Sequence, residues 1–165
     1  MKSFLPACLG MCLSSVALSS PLTTLSLGEQ QLSHGEKTTV LTQVGVSEYI
    51  KVTHASAGFQ AGLDVGLALA SGGGWTDSEY FGGVVAGYKF LSGTEVGAAA
   101  NASVLYTTYK GRNSNHGGVQ YALYVTQDFS PNWAGKVELK STDYAPYSEY
   151  AFKTTELLLG AVYNL

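Results

Sequence analysis

The chain has 165 residues, of which 13% are charged and 45% apolar, with a formal net charge of −3 and a mean hydropathy of +0.10. That length bounds it to one domain, and the charged share is about half that of ordinary soluble domains. An acidic balance with no basic stripe argues against nucleic acid as a partner, and no apolar run in the body of the chain reaches the roughly 18 residues that a spanning helix needs.

At the start, Lys2 precedes the apolar stretch FLPACLGMCLSSVAL, which gives way to Ser19, Ser20 and Pro21. A charged start, a short apolar core and a small-residue end describe a secretory signal at residues 1–19, cleaved near Ser19 or Ser20 and leaving a barrel domain at 20–165. Leu5-Pro6-Ala7-Cys8 has a lipobox-like outline, but too little apolar sequence lies ahead of it and too much follows. Both cysteines, Cys8 and Cys12, fall inside the signal, so the mature chain has no thiol for a disulfide or a metal. Losing Lys2 leaves eight Lys/Arg against twelve Asp/Glu, a net charge near −4.

Short alternating segments follow, separated by turn-rich sequence, and they predict strands near 22–32, 40–52, 57–70, 80–91, 95–109, 118–129, 133–144 and 152–165. The clearest is Gly58–Leu69, where Phe59, Ala61, Leu63, Val65, Leu67 and Leu69 share one face and Gly58, Gln60, Gly62, Asp64, Gly66 and Ala68 the other. A face of glycine, alanine, glutamine and one carboxylate suits a crowded polar interior. With the apolar face turned to lipid, the segment fits a transmembrane barrel, whose strands are even in number when it is a bacterial single chain. The connections alternate between short ones (near 53–56, 92–94 and 130–132) and longer polar ones: SHGEKTT, SGGGWTDSE, KGRNSNHG and APYSEY. Short periplasmic turns and longer outer loops are the expected reading.

Parity assigns an outward set: Val44 and Val46, then Val84, Ala86 and Tyr88, then Val96 to Val104 on even positions, Val119 to Val125 on odd ones, Val137, Leu139, Leu157, Leu159 and Ala161. The inward face takes Gln43, Asp64, Lys89, Glu95, Asn101, Ser103, Gln120, Asp128, Lys136, Glu138, Lys140 and Glu156. Aromatics lie near the outward strand ends: Phe59, Phe90, Phe129, Trp133 and Tyr163 by the short turns, and Tyr80, Tyr106 and Tyr121 by the long loops. Amphipathic rings favour the two headgroup levels, which predicts two belts.

The last strand ends Gly160-Ala161-Val162-Tyr163-Asn164-Leu165, which resembles the C-terminal assembly signal of outer-membrane barrels in Gly160, Tyr163 and Leu165, with Leu165 where that family prefers Phe or Trp. Upstream, Asp128-Phe129-Ser130-Pro131-Asn132-Trp133, Lys136-Val137-Glu138-Leu139 and Thr142-Asp143-Tyr144 resemble the turn-and-strand region of small OmpA-like and OmpX-like barrels. The resemblance implies passage through the periplasm and insertion by the barrel assembly machinery.

An interior about eight strands wide is filled by side chains, so Lys89, Lys136 and Lys140 are expected to pair with Asp64, Glu95, Glu138 and Glu156, as a structural polar core or as a gated narrow pore. His54-Ala55-Ser56 has the His-x-Ser outline of an outer-membrane lipid A deacylase, but Ala57 replaces that family's asparagine and the trio falls in an expected periplasmic turn. His34 and His116 are expected in outer loops, solvated, and could hold a metal only by converging with Glu36 or Asp77. Gly72-Gly73-Gly74 leads into Trp75 rather than a helix start, so it reads as a flexible loop, with Trp75 a surface contact or an interface anchor.

The sequence therefore predicts an all-β, transmembrane, antiparallel up-and-down barrel of about eight strands in the bacterial outer membrane. The expected partners are lipid and lipopolysaccharide, the assembly machinery and an unidentified surface ligand. No cofactor, metal or catalytic residue is expected. The expected role is structural or adhesion-like at the cell surface, within the porin-like family but not as an open porin. Two other readings stand beside it: a secreted lipocalin-like barrel holding an apolar ligand, with Leu63, Val65 and Leu67 turned inward, and a lipid A-modifying enzyme.

Overall fold

The computed structural model describes residues 21–52, 56–145 and 152–164. The signal at 1–19 with Cys8 and Cys12, the histidine of the His54 trio, most of the APYSEY loop and Leu165 lie outside them.

Eight antiparallel strands close into a barrel. They are β1 (Leu22–His34), β2 (Lys37–Lys51), β3 (Gly58–Gly72), β4 (Trp75–Lys89), β5 (Thr94–Tyr109), β6 (Arg112–Asp128), β7 (Trp133–Tyr144) and β8 (Phe152–Asn164). Closure comes from β1 pairing with β8, Ser26 opposite Gly160. A walk across the ladders from Thr23 passes Glu48, Val65, Gly82, Ala102, Val119, Asp143 and Lys153 and returns to β1 at Ser33, ten residues further on. That stagger corresponds to strands tilted by about 40°.

Alternation dictates the faces as the sequence predicts. Leu27, Phe59, Val84, Leu123 and Leu159 are 57–64% exposed on the outside, while Gln43, Gln60, Gln120, Thr142 and Glu156 have no exposure inside. Leu63 and Val65 point outward and Asp64 inward, the reverse of an apolar-ligand barrel. The eight aromatics assigned to belts, Phe59, Tyr80, Phe90, Tyr106, Tyr121, Phe129, Trp133 and Tyr163, all lie on the outer surface or at the lip, with Tyr80 edge-on to Tyr106 at 6.0 Å and Trp133 against Tyr163 at 4.7 Å.

The loops differ from expectation. β1 and β2 are joined by Gly35 and Glu36 alone, β3 and β4 by Gly73 and Gly74, β5 and β6 by Lys110 and Gly111. A type I′ two-residue turn demands positive φ at both central residues, and Gly73 (56°), Gly74 (83°), Lys110 (49°) and Gly111 (78°) meet it, while the β1–β2 turn has positive φ at Gly35 (60°). At the end that holds the chain termini, the 90–93 and 129–132 connections are four residues each, so among these described connections the length asymmetry runs opposite to the prediction. The reason is compositional: where strands rise beyond the apolar belt both faces are polar, and Ser, Thr, Asn and Gly there read as loop although they are paired.

Candidate functional site

Three layers fill the barrel. Beneath the hairpins sits an apolar cluster of Leu32, Leu41, Ala70, Leu105, Tyr144 and Phe152, covered by Trp75. Trp75 and Tyr109 face each other across the β4–β5 ladder and stack at 4.3 Å. His34 and His116 lie against Phe152, with ring centroids 4.5 and 4.3 Å from it. The three expected loop residues are thus strand residues of a lid: His116 is buried and bonded to Ser114 at 3.0 Å, Trp75 is half-buried, and His34 is packed rather than solvated. Glu36 stays exposed in its turn, while Asp77 is buried on β4 opposite Thr107. Among the described residues no three His, Cys, Asp or Glu side chains gather as a metal site.

The middle layer is a hydrogen-bonded girdle. Glu79 accepts from Gln120 Nε2 at 3.0 Å, from Tyr144 Oη at 2.7 Å and from Ser103 Oγ. Glu156 accepts from Gln43 Nε2 at 3.0 Å and from Thr154 Oγ1 at 3.3 Å. Asn101 donates to both Asp64, at 3.1 Å, and Gln120, at 3.0 Å. Such bonds replace the hydration that buried carboxylates lose, which is why amides and hydroxyls surround them.

The third layer faces the termini. Lys136 and Lys140 share Glu138, at 2.9 and 3.7 Å, and Lys140 also lies 3.9 Å over the Phe81 ring. Lys51 reaches Glu95 at 3.4 Å, and Tyr124 donates to the same carboxylate at 2.8 Å. A cavity of about 70 Å³ opens here, lined among others by Tyr49, Asp64, Glu95, Tyr124 and Lys136.

Of the expected ion pairs, only those on Glu138 form between the residues named. Glu95 takes Lys51 as its partner, Lys89 pairs at the rim with Asp128 at 2.7 Å, and Asp64 and Glu156 are held by neutral donors. Parity would have found Lys51, which shares the inward face of β2 with Gln43. Glu79 and Asp77 were hidden because the predicted strand began at residue 80. Gly160 lies on β8 opposite Lys136 and Ser26, and Tyr163 opposite Trp133 and Thr23.

An apolar belt around a closed barrel with a packed polar core defines the class: the fold is that of small eight-stranded outer-membrane β-barrels. Neisserial surface protein A is similar with a TM-score of 0.66 at 13% identity, the match covering 91% of this chain and 100% of that one. Ail, the attachment invasion locus protein of Yersinia pestis, is similar with 0.55 at 8% identity, over 89% of this chain and 99% of that one. The outer membrane enzyme PagL is similar with 0.57 at 13% identity, over 84% and 97%. No protein-family model and no curated protein matches the sequence.

Proposed function

We propose that this protein is an integral barrel of the bacterial outer membrane whose role is structural or adhesive, carried by the hairpin end and not by passage of solute. The observation that carries the reading is the pairing of an exposed apolar exterior with an interior closed by three successive layers. An even number of strands leaves both termini on one side, and a chain delivered from the periplasm inserts with its termini there, so the hairpins face outward. Their tips carry exposed Lys37, Lys110 and Arg112, which suit the phosphates of lipopolysaccharide. Neisserial surface protein A and the Yersinia attachment protein share this architecture, which supports a surface role. PagL shares it too, but here Ser56 stands at the termini end, away from the outward hairpins, and is followed by Ala57, so the reading is non-enzymatic.

The test is migration of the membrane-extracted protein on a denaturing gel with and without boiling, followed by planar-bilayer recording. A heat-dependent shift in the outer-membrane fraction, with no steady conductance, is the expected result. A soluble periplasmic monomer sinks the membrane reading, and a stable open channel sinks the closed-interior one.

A further inference from the structure

The apolar exterior is not uniform around the barrel. On β3 every outward position from Phe59 to Leu69 is apolar, and on β5 every one from Val96 to Tyr106, six on each strand. Six outward positions on strands tilted by about 40° reach about 25 Å, the height of a lipid-facing band. On β1 the unbroken run shrinks to Leu25 and Leu27, between Thr23 and Glu29, and on β2 to Val44 and Val46, between Thr42 and Glu48. Two such positions reach only about 5 Å.

Given the outer-membrane reading, on which this rests, we propose that the outer face of β1 and β2 is an interface with a second copy of this chain. Hydrogen bonds from Thr23 to Glu48 and from Thr42 to Glu29 join the two copies within the membrane.

Both carboxylates point outward. Glu29 is exposed, opposite Thr42 on β2 and Leu157 on β8, and Glu48 is half-buried, opposite Thr23 on β1 and Val65 on β3. Below Glu48 the apolar face resumes at Ile50 and at Val52, which is 58% exposed, so this carboxylate stands inside the belt. Neither glutamate has a hydrogen-bond or ion-pair partner among the described residues. Tilting the barrel cannot wet both. Thr23, opposite Glu48, lies six residues from Glu29 on β1, which sets the two carboxylates about 12–15 Å apart along the barrel axis. In a band about 25 Å tall, a tilt that lifts Glu29 to the outer headgroups carries Glu48 toward the midplane.

Acyl chains offer such carboxylates no donor. A second copy offers donors at the required levels. Both copies insert in one orientation, so a two-fold axis along the membrane normal keeps every residue at its own height and makes each contact twice. With β1 of each copy beside β2 of the other, Thr23 meets Glu48 and Thr42 meets Glu29, since each of these pairs already shares a rung of the ladder. Leu25, Leu27, Val44 and Val46 pack between the two levels, and Gln31, the next outward residue above Glu29, adds a second donor there. Association also relieves the mismatch between a short apolar stretch and a thicker bilayer. The unbroken faces of β3 and β5 are left to lipid.

The experiment places single cysteines at Leu27 and, as a control, at the outward Ala100 of β5, in a Cys8→Ser, Cys12→Ser background, and oxidises them in intact outer membranes. Leu27→Cys should give a reducible band at twice the monomer mass, and Ala100→Cys should not. Adding Glu29→Leu and Glu48→Leu, which completes the apolar run, should lower the yield from Leu27→Cys about tenfold. Heat-dependent gel migration checks each variant for folding and tests the membrane reading separately. A barrel that shifts on heating in the outer-membrane fraction yet gives no band from Leu27→Cys overturns the dimer alone. Equal bands from both positions would show random collision and overturn it, as would an undiminished band in the folded double-leucine variant. A cross-link of another mass would assign the face to a different protein and overturn it too. Should the double-leucine variant not fold, the comparison of Leu27→Cys with Ala100→Cys decides by itself.

Discussion

The hydroxyl of Tyr144 on β7 donates to Glu79 on β4 at 2.7 Å, joining two strands that share no ladder. Backbone pairing holds each strand only to its neighbours, so this bond crosses the barrel and fixes its cross-section from within. Gln120 on β6 and Ser103 on β5 converge on the same carboxylate oxygen, which makes Glu79 the hub of the middle layer.

Tyr144→Phe removes the crossing bond while keeping the ring in its apolar cluster. A hydrogen bond to a charged acceptor contributes about 1.5–3 kcal/mol, and unfolding by urea in lipid vesicles should show a loss in that range. Unchanged stability would mean that the crossing bond contributes nothing.

Glu138 compensates two ammonium groups, one of them, Lys140, almost fully buried. Glu138→Gln takes from both their ion-pair partner and should cost about 3–5 kcal/mol. Adding Lys140→Met to that variant should restore much of the loss, since the uncompensated charge disappears with it. A double variant no more stable than the single one would place the cost elsewhere than in charge.

Leu123 is 62% exposed in the middle of the apolar belt, between Tyr121 and Val125 on its strand and opposite Ala98 and Leu139. Leu123→Arg should cost about 2–4 kcal/mol in a bilayer, measured by reversible unfolding from vesicles. An effect within about 0.5 kcal/mol, as at an ordinary wet surface, would show that this face does not meet lipid.

Gly83 faces inward where β4 passes β5, and a Cβ there would fall on the Ala100 carbonyl oxygen and on Asn101. The carbonyl belongs to the ladder and cannot move aside. Gly83→Ala should therefore destabilise by about 1–3 kcal/mol and loosen the Asn101 bonds to Asp64 and Gln120, seen as faster amide exchange on β4 and β5. A variant as stable as the parent would show that the ladder has room to spare.

The strand number and the faces were legible because each rests on a period of two, which a sequence carries without any knowledge of partners. Gly58–Leu69 shows this best: its twelve residues assign their own faces, and the barrel keeps every assignment. The ends of the strands were not legible, because polarity marks a loop only while the neighbouring strand face is apolar. His34, Trp75, Asp77 and His116 all fell on that ambiguity and belong to paired strands, the first, second and last as part of the lid itself.

The sequence by itself determined that the chain closes with its apolar face outward and its carboxylates and amides within, since burying the other face would strand those groups without hydration. Which carboxylate meets which lysine was decided by the tertiary structure alone. The stagger of ten residues around the ring brings Lys51 of β2 to Glu95 of β5 and Tyr144 of β7 to Glu79 of β4, and no local pattern encodes how far each ladder slides before the sheet closes.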